Sequence, residues 1–450
     1  MSLKGLLSPA VSAWWLSAAR LERQRARAER TRRARGEPHR IDYFHQADDP
    51  HAALAAAALP ELARRYAVEI VPRVVGAPSD AVAPERARLL AWSRQDAARL
   101  ARRHGLAFDD PGAQPAADAV AATVHALLDA IDRGRFVDEA AGLGAAMWAR
   151  VGSSSGTSPT TASSATGSSA TAPRDAPARD RDRARLAEAE ALRTRLGHYL
   201  GGTFHYGGEW YWGIDRLHHL ETRLRRLGAA RGDGGPMFPP DVDPVTPFAA
   251  AHPGPSEFWY SLRSPYSAIV APRVLRLAEL SGVPLRLRGV LPMVMRGLPV
   301  PPQKRRYIAT DAAREARLRG IDFGRLVDPV GRPAERGLAL APLARRAGVE
   351  GAYLLSFMRG TWAEGLDAGT DRGLRRIAER AGLAWTDCVA ALADDGWRAE
   401  VEANRVALFE RGLWGVPSMA VGEVAVWGQD RLWAIHDALR ATPTRGGPTR

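Results

Sequence analysis

Two short stretches 215 residues apart constrain this chain more than anything else in it. "YWGIDRL" (211–217) and "VWGQDRL" (426–432) share Trp-Gly-X-Asp-Arg-Leu, and the same offset lays "DDPHAALAA" (48–56) over "RSPYSAIVA" (263–271). Agreement of two independent stretches on one offset reads as a tandem duplication. Whatever one half folds into, the other half must also be able to fold into.

Each half carries the same run of signals. Apolar strand stretches (40–45; 257–262) lead into helices opened by proline (50–65; 265–281), since Asp or Ser followed by Pro caps and pre-sets a helix start. A second strand follows (67–74; 284–290), then a long helical stretch. Two short strands come next (203–206 and 209–212; 418–421 and 423–427), and a closing helix begins near Asp-Arg-Leu. Strand, helix, strand, helical insertion, hairpin and helix is a thioredoxin-type α/β layout, so the sequence predicts two tandem units of it, each with an inserted helical subdomain. The boundaries read as a basic leader at 1–39, a first unit at 40–228, a Pro/Gly-rich linker at 229–255, a second unit at 256–441 and a disordered tail at 442–450. "VGSSSGTSPTTASSATGSSATAP" (151–173) opens a flexible insertion, 151–183, whose composition buries too little apolar surface to order itself.

The leader carries ten Lys or Arg against three Glu in residues 1–40, while the whole chain has a net charge of +13. Leu7, Val11, Trp14, Ala18 and Leu21 recur there at helical spacing. The apolar part is too short to span a bilayer. It reads either as an interfacial helix touching an anionic membrane surface or as a helix packed on the protein's own surface or on a partner. A cytoplasmic location follows, peripheral to a membrane if the first reading holds. No nucleic-acid recognition motif accompanies the charge.

The single cysteine, Cys388, excludes a disulfide framework or Cys-X-X-Cys redox pair within the chain, and reads as a buried small residue. The histidines form no metal-binding spacing, and the adjacent His218 and His219 are expected to diverge on a helix. Ser264 is the informative polar residue. Before Pro265 it is either a plain cap or the floor of an anion site, because amides and the helix dipole converge at a strand-to-helix corner.

The motifs "FWYSLRSPYSAIVAPRVLRL", "VPPQKRRYIATDAAREA", "ERGLWGVPSMAVG" and "WGQDRL" resemble, in order and spacing over residues 256–440, the DsbA-like thioredoxin group. Within it they resemble 2-hydroxychromene-2-carboxylate isomerases and kappa-class glutathione transferases. The resemblance implies glutathione as cofactor, with its thiolate held by Ser264 and the start of the helix at Pro265. It implies a cis-proline at Val416-Pro417 that pairs with the cysteinyl backbone, Gln429 and Asp430 at the γ-glutamyl end, and Lys304 near the tripeptide. Disulfide-exchanging relatives have cysteines at the Ser264 and Ser267 positions, so that chemistry is absent. Relatives usually carry an asparagine in the loop before the lysine, and "MVMRGLPVPPQKRR" has none.

The first unit keeps Asp49-Pro50 but has Ala52 for Ser267 and Gly202 for Pro417. It therefore reads as degenerate, structural or regulatory. The expected function is a glutathione-dependent isomerase or transferase acting on a conjugated, aromatic-derived substrate, with Arg263 a candidate for a substrate carboxylate. The alternative is a non-catalytic thioredoxin-fold binding or scaffold protein.

Overall fold

The computed structural model describes residues 8–153, 176–252 and 254–441. They pack as two units, residues 23–240 and residues 8–22 with 241–441. The 154–175 part of the expected flexible insertion and the expected tail from 442 lie outside the described residues. No described helix is long and apolar enough to cross a membrane.

The leader holds two helices, α1 (Pro9–Trp15) and α2 (Ala18–Ala34), and the boundary between the units falls within α2, after Glu22. The apolar face picked out by helical spacing points outward on α1, where Val11 and Trp14 are exposed, while Ser12 and Leu16 are buried. Hydrogen bonding gives the reason. The Leu326 amide donates to the Ser12 hydroxyl at 3.0 Å and Arg317 donates to the Leu16 carbonyl at 2.8 Å, so α1 docks on its own unit through these bonds as well as through Pro9 and Leu16. Some of the basic residues of α2 are matched by carboxylates: Arg25 makes a two-bond contact with Glu209 at 2.8 and 2.9 Å, and Arg32 does the same with Glu29. Residues of α1 thus pack on their own unit, with Val11 and Trp14 left exposed.

In the N-terminal unit, β1 (His39–His45) is followed by α3 (Pro50–Ala57), α4 (Leu59–Arg65) and β2 (Val68–Val74). The helix expected over 50–65 is broken at Ala58, where Pro60 opens a second helix. The helical insertion is α5 (Arg86–His104), α6 (Ala117–Asp132), α7 (Phe136–Ser153) and α8 (Ala176–Leu196). The hairpin β3 (Thr203–Tyr206), β4 (Glu209–Trp212) and the helix α9 (Leu217–Arg226) close the unit. Gly207 and Gly208 join the hairpin with φ of +51° and +83°, the paired left-handed conformation that a two-residue hairpin turn needs. On α9 the His218 and His219 rings lie 4.0 Å apart by their centroids. The expected divergence of these side chains does not occur.

In the C-terminal unit, β5 (Ser256–Tyr260), α10 (Pro265–Ser281) and β6 (Leu285–Gly289) repeat the opening. The insertion runs through α11 (Pro302–Leu318), α12 (Arg332–Ala339), α13 (Ala341–Arg346), α14 (Glu350–Arg359), α15 (Asp371–Arg380), α16 (Trp385–Ala391) and α17 (Trp397–Glu410). The hairpin β7 (Ser418–Val421), β8 (Val424–Trp427) and α18 (Leu432–Arg440) follow.

The two sheets have the same strand order, β2-β1-β3-β4 and β6-β5-β7-β8. Their registers match residue for residue at the sequence offset: Ile41 pairs Ile70 as Ser256 pairs Leu285, and Phe44 pairs Thr203 as Trp259 pairs Ser418. In both, the first strand is central and buries aromatic side chains on both faces. Phe258 and Trp259 are fully buried, as are Tyr43 and Phe44.

Candidate functional site

Ser264 is the N-cap of α10. Its backbone is extended, at φ −92° and ψ 115°, and its hydroxyl accepts the Ser267 amide at 3.1 Å. A hydroxyl has one donor besides its lone pairs, and the Ser264 O–H is committed to no acceptor among the described residues. Ser267 is fully buried and its hydroxyl faces back to the Ser261 amide at 3.4 Å. The corner therefore presents a half-buried hydroxyl proton at the positive end of a 17-residue helix.

The Val416-Pro417 peptide is cis, in the loop that enters β7. Register places Ser418 opposite Trp259, the strand residue that leads into the Ser264 corner. Neither the amide nor the carbonyl of half-buried Val416 has a backbone partner among the described residues. Buried behind it, Trp414 packs on Trp427 with ring centroids 5.1 Å apart. Lys304, in the first turn of α11, reaches the same wall, with its ammonium 5.9 Å from the Trp414 ring centroid. Burial pulls the Lys304 amine down to about 8 from its ordinary 10.5.

That depression has a sign in stability. The unfolded chain binds the Lys304 proton more tightly, so between about pH 8 and 10.5 it holds more protons than the fold and stability rises with pH. Below pH 8 the full penalty for the buried charge is present. The wild-type protein minus Lys304→Met should show that rising difference in denaturant titrations from pH 7 to 10. A flat difference means the amine is solvated.

Gln429 and Asp430 lie in the short turn before α18. Gln429 is 1% exposed. Its amide donates to Glu315 at 2.9 Å and to Asp430, and its side-chain oxygen accepts Arg273 at 3.0 Å. Both ends of the amide are used inside the protein, so Gln429 supports Asp430 and offers a ligand no free group of its own. Asp430 is half-buried. Arg263 is not open to a substrate carboxylate as expected: it makes two bonds to Asp328, at 2.6 and 2.7 Å. Cys388 is fully buried and burial pushes its thiol up to about 11, which suits the structural role expected of it.

Residues 257–440 match the DSBA-like thioredoxin domain. The C-terminal unit is a DsbA-like thioredoxin domain. Two curated relatives, from Pseudomonas sp. (strain C18) and Pseudomonas putida, are both 2-hydroxychromene-2-carboxylate isomerases. They are 24% and 25% identical to this chain, over 42% and 41% of it and 92% and 93% of their own length. A solved 2-hydroxychromene-2-carboxylate isomerase structure covers 41% of this chain and 93% of its own, at 22% identity and a TM-score of 0.36.

At the sequence offset that aligns the two sheets, the N-terminal unit has Asp49 where Ser264 stands and glycines where Val416 and Pro417 stand. Asp49 caps α3, accepting the His51 amide at 2.9 Å. Gly202 replaces the cis-proline at φ +62°, and a Cβ added there would lie 3.1 Å from the Ala52 backbone. At Gly201 an added Cβ would meet the Gln46 Cβ at 2.4 Å. The loop is closed down on the helix start at backbone distance, which only glycine permits.

Sequence reasoning missed Trp414, Trp427 and Asp328 as parts of the site. The tryptophans stood inside the quoted motifs, and their spacing on either side of the hairpin was the available signal. Nothing in the sequence marks Asp328 as the partner of Arg263.

Proposed function

We propose that the DsbA-like domain is a glutathione-dependent isomerase or transferase acting on a conjugated, aromatic-derived substrate. The observation that carries the reading is the Ser264 corner, where an uncommitted O–H at a helix N-terminus lies in a fold whose relatives are isomerases. The fit to glutathione rests on groups this chain leaves open. The Val416 amide and carbonyl can pair with an extended peptide in strand fashion, and the Ser264 proton can bond a thiolate. Asp430, held by Gln429, would take the γ-glutamyl ammonium.

Glutathione would supply a nucleophilic thiolate, which the free thiol, with a pKa near ~8.5, provides only in part at neutral pH. Ser264 and the α10 dipole favour the ionised form. Lys304, poised near neutrality, adds positive charge at the same wall and can move a proton. Trp414 and Trp427 cover the loop and keep bulk water from its inner side. The N-terminal unit, with its closed corner, would have a structural or regulatory role.

Calorimetric titration with glutathione tests this. One site per chain is expected, with Asp430→Ala weakening binding by about 1.5–3 kcal/mol, as for a hydrogen bond to a charged group. Two equivalent sites would contradict the closed N-terminal corner. No heat at millimolar ligand favours a non-catalytic scaffold.

A further inference from the structure

We propose that Asp328 is a positioning residue for Ser264, and that α1 braces the segment that carries it. What Ser264 does rests on the function proposed above; how it is held does not. Between β5 and α10 the chain makes one tight turn, in which the Ser264 amide donates to the Ser261 carbonyl at 2.9 Å. The backbone angles of its two central residues, Leu262 and Arg263, set where Ser264 points. Both residues are gripped from the helical insertion. The Trp362 indole donates to the Leu262 carbonyl at 3.1 Å, which fixes the peptide plane between the two. Asp328 accepts two bonds from the Arg263 guanidinium, at 2.6 and 2.7 Å, with the two side chains 16% and 15% exposed. A forked arginine–carboxylate pair of this kind imposes a geometry as well as an attraction.

Asp328 is itself held. The segment 324–328 hangs on the turn Gly360–Glu364, which carries Trp362. The Gly324 amide donates to the Trp362 carbonyl and the Val327 amide to the Thr361 carbonyl, each at 2.9 Å. The third anchor is α1. The Leu326 amide, two residues before Asp328, donates to the Ser12 hydroxyl at 3.0 Å, and Ser12 is 1% exposed. Leu16 closes on the same segment, its Cβ 3.5 Å from where a Cβ on Gly324 would stand. The N-terminal unit is built differently. At the shared offset Asp48 stands where Arg263 does, and among the described residues its side chain is bonded to Gln46, two residues away, at 3.0 Å. The clamp accompanies the corner that carries Ser264 and not the one closed by glycines.

Hydrogen–deuterium exchange of peptides covering 261–270 in the full-length protein tests this, because the Ser267 amide is bonded to the Ser264 hydroxyl. Asp328→Asn should speed exchange there several-fold and leave peptides of β6 and β7 at the wild-type rate. Arg263→Gln breaks the same pair from the other side and should match it, and either variant serves if the other does not fold. The double variant should exchange no faster than the single ones, as for two residues acting through one contact. Ser12→Ala should give the same change in smaller measure. The thiol of bound glutathione should titrate at higher pH in Asp328→Asn, a shift that a merely structural role would not produce. Wild-type exchange at 261–270 in the clamp variants overturns the positioning role. So do faster exchange across the whole unit, additive effects in the double variant, or an unmoved thiol titration. Wild-type exchange in Ser12→Ala overturns the brace. If the wild-type protein binds no glutathione the proposed function falls, and exchange alone decides the clamp.

Discussion

Ser264→Ala should lower turnover on the order of a hundredfold, the effect of removing one pre-organised donor from a developing or resident anion. The same change should raise the pKa of bound glutathione, followed by thiolate absorbance in the ultraviolet as pH is varied. It also removes a helix cap, since the Ser267 amide loses its acceptor, and that should cost about 0.5–2 kcal/mol of stability. The two consequences are separable because the protein contains a control. Asp49 caps α3 at the corresponding corner, accepting the His51 amide, but Gly201 and Gly202 close that corner. Asp49→Ala should therefore lose a similar stability and leave turnover and thiol titration unchanged. If the two variants behave alike in every assay, Ser264 is only a cap.

The shared sequence offset made most of the architecture legible. An offset read from two short motifs is carried through strand order and pairing register, because a one-residue slip would turn every inward side chain to the other face. The start of α10 was legible for a local reason, since Ser-Pro specifies both a cap and a first-turn φ. What escaped reading depends on partners distant in sequence. Arg263 has no local signature of its pairing with Asp328, 65 residues on. Gln429 sits in the expected turn, yet its amide is consumed by Glu315 and Arg273 from two other helices. In the leader, periodicity picks out the exposed Val11 and Trp14 face, whereas the contacts that dock α1 include hydrogen bonds to Ser12 and to the Leu16 carbonyl, which an apolar pattern does not register.

The Arg273 network supplies a second large expected effect. Arg273 lies in the body of α10 and is 8% exposed. Its Nη1 donates to the Gln429 carbonyl at 2.9 Å and to the Gln429 side chain at 3.0 Å, while Nε and Nη2 hold Asp243 at 2.6 and 2.7 Å. One guanidinium thus ties α10 to the turn carrying Asp430 and to the segment leading into β5. Arg273→Met keeps much of the side-chain volume and deletes every donor. The Gln429 oxygens are then left buried without partners, and Asp243 loses its counter-charge. Leaving a buried acceptor unsatisfied costs about 1–3 kcal/mol, and the solvent-accessible Asp243 adds little, so the variant should unfold at lower denaturant. Arg273→Lys should recover only part, because a single ammonium cannot serve both Gln429 and Asp243 in the same geometry. Glutathione affinity gives the second readout. If Gln429 positions Asp430, Arg273→Met should weaken binding as Asp430→Ala does, while Asp430→Ala alone leaves stability nearly intact. A stable Arg273→Met protein with undiminished glutathione binding would mean that the turn is held by its backbone alone, and that Gln429 has no part in shaping the site.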